Sequence, residues 1–160
     1  MTIKVGDTIP SMKLMKATPE GPKETSTDEV FKGKKVVLFA VPGAFTPTCS
    51  AKHLPGFVQQ ADAIKAKGVD TIACISVNDA FVMGAWGKDQ SCGDKVLMLA
   101  DGSAHFAQAL GLEMDVSARG MGMRSKRYAL VAENGKVTHL AEEAPGAFEV
   151  SSADAILAKL

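Results

Sequence analysis

Apolar residues along this chain fall into short β-like runs separated by helix-like stretches. Lys35-Val-Val-Leu-Phe-Ala-Val41 is a continuous, β-branched apolar run, the pattern of a strand buried on both faces. Val69 to Val77 and Val96 to Ala100 read the same way. Arg127 to Ala132 and Lys136 to Leu140 flank Asn134-Gly135, a dipeptide that favours a tight hairpin turn. Upstream, Met12 to Thr27 sets Pro19, Gly21 and Pro22 between short extended stretches, which predicts a peripheral N-terminal hairpin. Helices are predicted over Pro47 to Lys67, over Asp79 to Gln90 with Asn78 as N-cap, over Ala104 to Leu110 stopped by Gly111, and over Ser151 to Leu160 capped by Ser151 or Ser152. Strand–helix–strand alternation followed by a hairpin implies a mixed sheet with helices on both faces. No internal repeat or linker divides the chain, so residues 1–160 are expected to form one α/β domain.

Composition narrows the function. Hydrophobic residues make up 46% and charged residues 22%, ordinary for a globular protein. Lys+Arg and Asp+Glu both number 18, so neither nucleic acid nor an anionic membrane surface is an expected partner. The longest apolar runs are about eight residues, too short for a membrane span. Met1-Thr-Ile-Lys-Val-Gly-Asp7 lacks the pattern of a secretory signal, which makes a cytoplasmic location the expectation. Cys49, Cys74 and Cys92 form no CxxC, and His53, His105 and His139 are scattered. Neither a disulfide scaffold nor a structural zinc site fits that set, and no metal or cofactor is expected. What remains is a set of individual thiols, each inert or reactive.

Local sequence singles out one of them. Val41-Pro42-Gly43-Ala44-Phe45-Thr46-Pro47-Thr48-Cys49-Ser50 leaves a buried strand and opens a helix. Thr46 suits the N-cap, and Pro47 suits the first helical position, where its missing N–H costs nothing. Cys49 is then the third helical residue, in the turn where free N–H groups and the helix dipole favour a thiolate, the nucleophilic form. A free cysteine is more often a small, inert core residue; the Thr-Pro-x-Cys placement at a strand-to-helix junction favours the reactive reading.

The same segment resembles a known family. Pro42-Gly-Ala-Phe-Thr46-Pro-Thr-Cys49 matches the peroxiredoxin pattern Pro-x-x-x-Thr/Ser-x-x-Cys at every fixed position. With His53-Leu-Pro-Gly-Phe57 after it, the wording is similar to the type II, peroxiredoxin-5-like branch. The likeness continues through Ile75-Ser-Val-Asn-Asp79, Phe81-Val-Met83, Ala85-Trp86, Leu99-Ala-Asp-Gly102 and Arg124-Ser-Lys-Arg-Tyr128, and so covers most of the chain. It implies a thioredoxin-like fold and a thiol-dependent peroxidase that reduces hydrogen peroxide or alkyl hydroperoxides. Cys49 would be the peroxidatic cysteine, oxidised to a sulfenic acid. The resemblance has Thr46 hydrogen-bond both thiolate and peroxide, and Pro42 shield the pocket. Arg127 matches the family's active-site arginine; at the start of a buried strand it is costly unless it meets an anion, and a thiolate is one. Arg124 either assists from the same loop or is a surface cation. His53 shares the face of Cys49 on a regular helix and as imidazolium would support the thiolate, unless the kink at Pro55 turns it elsewhere.

Recycling of the sulfenic acid is open at this level. Some type II members carry a resolving cysteine near the C-terminus, but Ala141 to Leu160 contains none. Cys74 matches a cysteine that sometimes resolves, yet it lies on a predicted central strand; Cys92 lies in the polar stretch Gln90-Ser-Cys-Gly-Asp94 and is expected to be accessible. The expectation is reduction by an external thiol, either glutaredoxin with glutathione or thioredoxin. Phe45, Phe81, Met83, Trp86, Met121 and Met123 lie in segments that form the dimer contact in related proteins, so a homodimer is expected. Two other functions compete with this reading. A thiol–disulfide oxidoreductase is weakened by the missing CxxC. A redox-sensing holdase lacks the flexible tail or exposed apolar arm it would use.

Overall fold

The computed structural model describes residues 2–160. β1 (Lys13–Thr18) and β2 (Gly21–Ser26) form the N-terminal hairpin, followed by α1 (Thr27–Phe31) and β3 (Lys35–Val41). A π-helical turn (Cys49–His53) leads into α2 (Leu54–Gln59) and α3 (Ala61–Lys65), then β4 (Thr71–Ser76), α4 (Ala80–Asp89), β5 (Leu97–Ala100) and α5 (His105–Leu110). β6 (Glu113–Asp115) and β7 (Met123–Ser125) make a small separate ribbon. β8 (Tyr128–Glu133), β9 (Lys136–Glu142) and α6 (Ala153–Leu157) complete the chain.

The main sheet has seven strands in the order β2-β1-β5-β4-β3-β8-β9. Strands β3, β4 and β5 are parallel, and β1 and β8 close on them antiparallel. This is the expected mixed sheet, and the β3 run explains its centre. Val37, Phe39 and Val41 point into one core with Leu54, Phe57, Ile64, Met83, Trp86 and Ile156 of α2, α3, α4 and α6. Val36, Leu38 and Ala40 point into the opposite core with Phe31 of α1 and Phe106 and Leu110 of α5. Phe39 and Phe57 stack with centroids 4.0 Å apart at 7°. Truncating either to Ala would cost about 3–5 kcal/mol. The Asn134-Gly135 turn has φ of 51° and 79°, the left-handed pair a two-residue hairpin needs.

The N-terminal hairpin does lie at the periphery: β1 pairs with β5, so the hairpin forms one edge of the main sheet, with Pro22 on the edge strand β2, where a missing N–H is tolerated. Two expectations are corrected. The N-cap of α4 is Asp79, whose Oδ1 accepts from the Val82 N–H at 2.8 Å; Asn78 serves another purpose. The helix predicted from Pro47 to Lys67 is broken. The Leu54 N–H bonds to the Cys49 carbonyl five residues back, and Gln60 (φ −95°, ψ 5°) separates α2 from α3. Pro55, second in α2, has no N–H and its ring would collide with a carbonyl one α-turn back; a wider π turn before it relieves both problems.

Candidate active site

β3 ends at Val41, and residues 42–46 form a tight loop before the helix begins at Pro47. Phe45 takes a left-handed φ of 63° to make that turn. The loop is pinned from the neighbouring strand: Asn78, just after β4, accepts at Oδ1 from the Ala44 N–H (2.9 Å) and from the Ser76 hydroxyl (2.6 Å). A signal for Asn78 did exist, because parallel β3 and β4 bring their C-terminal ends side by side.

Thr46 stands at the predicted N-cap position, and its carbonyl accepts from the Ser50 N–H at 2.9 Å. Its hydroxyl does not cap the helix; it donates back to the Gly43 carbonyl at 2.6 Å. With its proton committed there, Thr46 Oγ1 offers only lone pairs to any further partner. Gly43 sits in a crowded position, where a larger residue would make Arg124 and Thr46 give way by a few tenths of an ångström. A Cβ there would lie 3.1 Å from both Arg124 Nη1 and Thr46 Cγ2.

Cys49 is fully buried at the start of the π turn. Arg127, at the mouth of β8, donates from Nη2 to Cys49 Sγ at 3.1 Å. The structure thus brings together Pro42, Thr46, Cys49 and Arg127 around one loop and one strand end. Arg124, on β7, reaches the same loop without reaching the sulfur: Nε donates to the Met121 carbonyl (2.9 Å) and Nη1 to the Pro42 carbonyl (3.4 Å). It ties the β6–β7 ribbon to the loop.

His53 is a correction to both readings offered for it. Pro55 does not turn it away; the π turn places it wholly inside, among the rings of Phe39, Phe57 and Phe148. Nor is it an imidazolium. Burial, reinforced by the Arg127 charge, pushes its pKa down to about 3. Arg127 Nη1 lies 2.8 Å from His53 Nδ1, and a guanidinium can only donate. Nδ1 is therefore the acceptor, and Nε2 carries the hydrogen, donated to the Ser151 carbonyl at 2.9 Å. His53 acts on Arg127, whose guanidinium also lies 5.8 Å from the Phe148 ring centroid, and not on the thiol.

The other two cysteines stand apart. Cys74 is on β4 between Phe39 and Met98, fully buried, and burial drives its thiol far up. Cys92 is not accessible, contrary to expectation. Left-handed Ser91 (φ 55°) and Gly93 (φ 52°) flank it, and its side chain belongs to the core cluster that also holds Trp86 and Met98. It is 2% exposed, and burial pushes its thiol up to about 11. Of the apolar residues marked for a dimer contact, Met83 and Trp86 are core, whereas Phe45, Phe81 and Met123 are exposed. Trp86 Nε1 donates to the Ser50 hydroxyl at 3.0 Å, docking α4 on the Cys49 turn. Among the described residues no three His, Cys, Asp or Glu side chains converge on a point where a metal ion would sit.

Comparison with known proteins identifies the fold and the family. The Redoxin family model matches residues 4–157. Peroxiredoxin-2E-2, chloroplastic, of Oryza sativa subsp. japonica is 54% identical over 99% of this chain and 73% of its own length. Peroxiredoxin-2B of Arabidopsis thaliana is 49% identical over 99% and 98%. The crystal structure of reduced Prx3 from Vibrio vulnificus in complex with hydrogen peroxide superposes with a TM-score of 0.94 at 57% identity, covering 99% of each chain. The mixed sheet flanked by helices is accordingly a thioredoxin-like fold, and this chain belongs to the peroxiredoxin family, in its type II branch, and is a thiol-dependent peroxidase.

Proposed function

We propose that Cys49 is the peroxidatic nucleophile and that Arg127, Thr46 and Pro42 complete its site. The observation that carries this is the 3.1 Å approach of Arg127 Nη2 to a fully buried Cys49 Sγ. The sulfur, as thiolate, attacks one peroxide oxygen. The S–O bond forms as the O–O bond breaks, the cysteine is oxidised to the sulfenic acid, and the other oxygen leaves as water or an alcohol after gaining a proton. The guanidinium donates to the sulfur and faces the charge that passes to the leaving oxygen. Thr46 Oγ1, an acceptor because its proton serves Gly43, takes the O–H of hydrogen peroxide or an alkyl hydroperoxide. Pro42 walls the loop beside them, and its carbonyl holds Arg124. A relative solved with hydrogen peroxide bound supports the same class of substrate here.

The sulfenic acid is reduced from outside, by glutaredoxin with glutathione or by thioredoxin. Cys74 and Cys92 support this reading, because both are buried with thiols held protonated. Three unpaired thiols fit a reducing compartment such as the cytoplasm. A homodimer forms through the exposed apolar residues Phe45 and Phe81, and light scattering of the reduced protein tests it. The test of the central reading is Cys49→Ser, which abolishes peroxide consumption because a serine hydroxyl stays protonated. Retention of a substantial share of the rate by this variant overturns the assignment.

A further inference from the structure

Glu143 is a buried carboxylate that the chemistry above does not use. It lies one residue beyond β9, and four donors converge on its Oε2 alone. These are the N–H groups of Glu149 (2.8 Å), Val150 (2.9 Å) and Ser151 (2.8 Å) and the Ser151 hydroxyl (2.7 Å). Three successive amides aimed at one point form an anion nest. Here the anion is the chain's own. Burial alone would raise this carboxyl, but the Ser151 hydroxyl and the three amides together outweigh burial and hold it below the usual range.

The clamp leads back to the active-site arginine by two routes. Through the backbone, the Glu143 N–H donates to the Arg127 carbonyl at 3.0 Å. Through side chains, Oε2 holds Ser151, whose carbonyl accepts from His53 Nε2, whose Nδ1 accepts from Arg127 Nη1. The same loop carries Phe148, against which the His53 ring and the Arg127 guanidinium both lie. Hydrogen bonds thus run in a closed ring from one end of Arg127 to the other, and Glu143 is the member that touches both arcs.

Resting on the site proposed above, we infer that Glu143 is a positioning residue for the peroxidase reaction. By ordering residues 149–151 it selects the Nε2–H form of His53, and that ring fixes the direction in which the Arg127 guanidinium points at Cys49 Sγ. Glu143 touches neither sulfur nor peroxide. Its loss therefore lowers the rate only through Arg127, by misaiming donors that must meet the leaving oxygen within a fraction of an ångström.

A double-mutant cycle on the intact protein tests this. Single-turnover oxidation of Cys49 by hydrogen peroxide is followed by the fluorescence of Trp86, the only tryptophan, which is hydrogen-bonded to the neighbouring Ser50. Glu143→Ala is expected to lower this rate on the order of 10- to 100-fold. Glu143→Gln, which keeps one acceptor oxygen and the shape, is expected to fall between it and the wild type. In an Arg127→Ala background, Glu143→Ala or Glu143→Gln should cost nothing further, within about twofold. The imidazole ¹⁵N signals should show the Nε2–H form of His53 in the wild type and a mixture in Glu143→Ala. If Glu143→Ala does not fold, the cycle is run with Glu143→Gln and decides alone. A rate unchanged by the Glu143 substitution that folds, or a loss that persists undiminished beside Arg127→Ala, overturns the positioning role while leaving the site reading intact. If Arg127→Ala itself reacts with peroxide like the wild type, the site reading fails, and this inference fails with it.

Discussion

A neutral, buried His53 has a measurable price in stability as pH falls. In the fold its pKa is about 3, against 6.5 for the free side chain. The sign follows directly. Below 6.5 the unfolded chain binds a proton that the folded chain refuses, so the contribution is complete above about pH 6.5 and is lost progressively on acidification. At pH 5 the unfolded side chain is favoured by about 1.5 pH units of proton binding, which is about 2 kcal/mol at 1.36 kcal/mol per unit. That figure scarcely changes if the folded value is anywhere below 4, because at pH 5 the folded ring is already almost wholly neutral. The perturbation is a change from pH 8 to pH 5, made on the wild type and on His53→Gln. Gln does not titrate, yet offers an oxygen toward Arg127 and an N–H toward Ser151. Urea unfolding of the reduced proteins, followed by circular dichroism, yields the stability of each at both pH values. Carboxylates, and His139, common to both proteins cancel in the difference. The wild type should lose about 2 kcal/mol more than the variant between pH 8 and pH 5. A difference below about 0.5 kcal/mol would mean that His53 takes up its proton in the fold, and the derivation of its tautomer and of its bond to Arg127 would be wrong.

Arg127→Ala and Thr46→Val should each lower the rate of peroxide reduction by on the order of 10²–10³, or about 2–4 kcal/mol, as measured by stopped flow with hydrogen peroxide; parent-like rates in both would remove these two residues from the site. The Cys74→Ser, Cys92→Ser double variant should still turn over with a glutaredoxin or small-thiol system once its folding is checked, and peptide mapping of a Cys49–Cys74 or Cys49–Cys92 disulfide in the oxidised wild type would refute the external-thiol cycle. In Cys49→Ser protein, Cys74 and Cys92 should react with an aromatic disulfide reagent far more slowly than a free thiol until denaturant is added, since both thiols are buried and held protonated. The lowered carboxyl of Glu143 contributes stability that is complete above the ordinary glutamate range and lost as pH falls through the folded value, so Glu143→Gln should flatten the acid limb of a pH–stability curve below about pH 4.5.

Much of the site was legible in the sequence because its chemistry is local. A strand buried on both faces announces itself as an unbroken apolar run, and Val36 to Val41 do alternate between two cores. Thr46, Pro47 and Cys49 stand in positions set by the start of one helix, and that local pattern placed the sulfur in its first turn. Asn134-Gly135 closed its hairpin for an equally local reason, the ease with which both residues adopt positive φ.

What the tertiary structure alone decided are the contacts between distant segments. The bond from Arg127 to Cys49 spans 78 positions, that from Arg127 to His53 spans 74, and that from His53 to Ser151 spans 98. No periodicity or propensity carries such information, since each bond depends on how strands and loops assemble. The charge state of His53 is a case in point: its sequence neighbours allow an imidazolium, and only the aromatic walls of Phe39, Phe57 and Phe148 with a guanidinium beside them forbid it. Cys92 looked exposed because its neighbours are polar, but its thiol is buried between two left-handed residues, and backbone sign is not written in polarity. Glu143 carries no motif at all. It becomes a clamp because the chain after β9 folds back to present three consecutive amides to one oxygen, a convergence that exists only once the sheet, α6 and the intervening loop are in place.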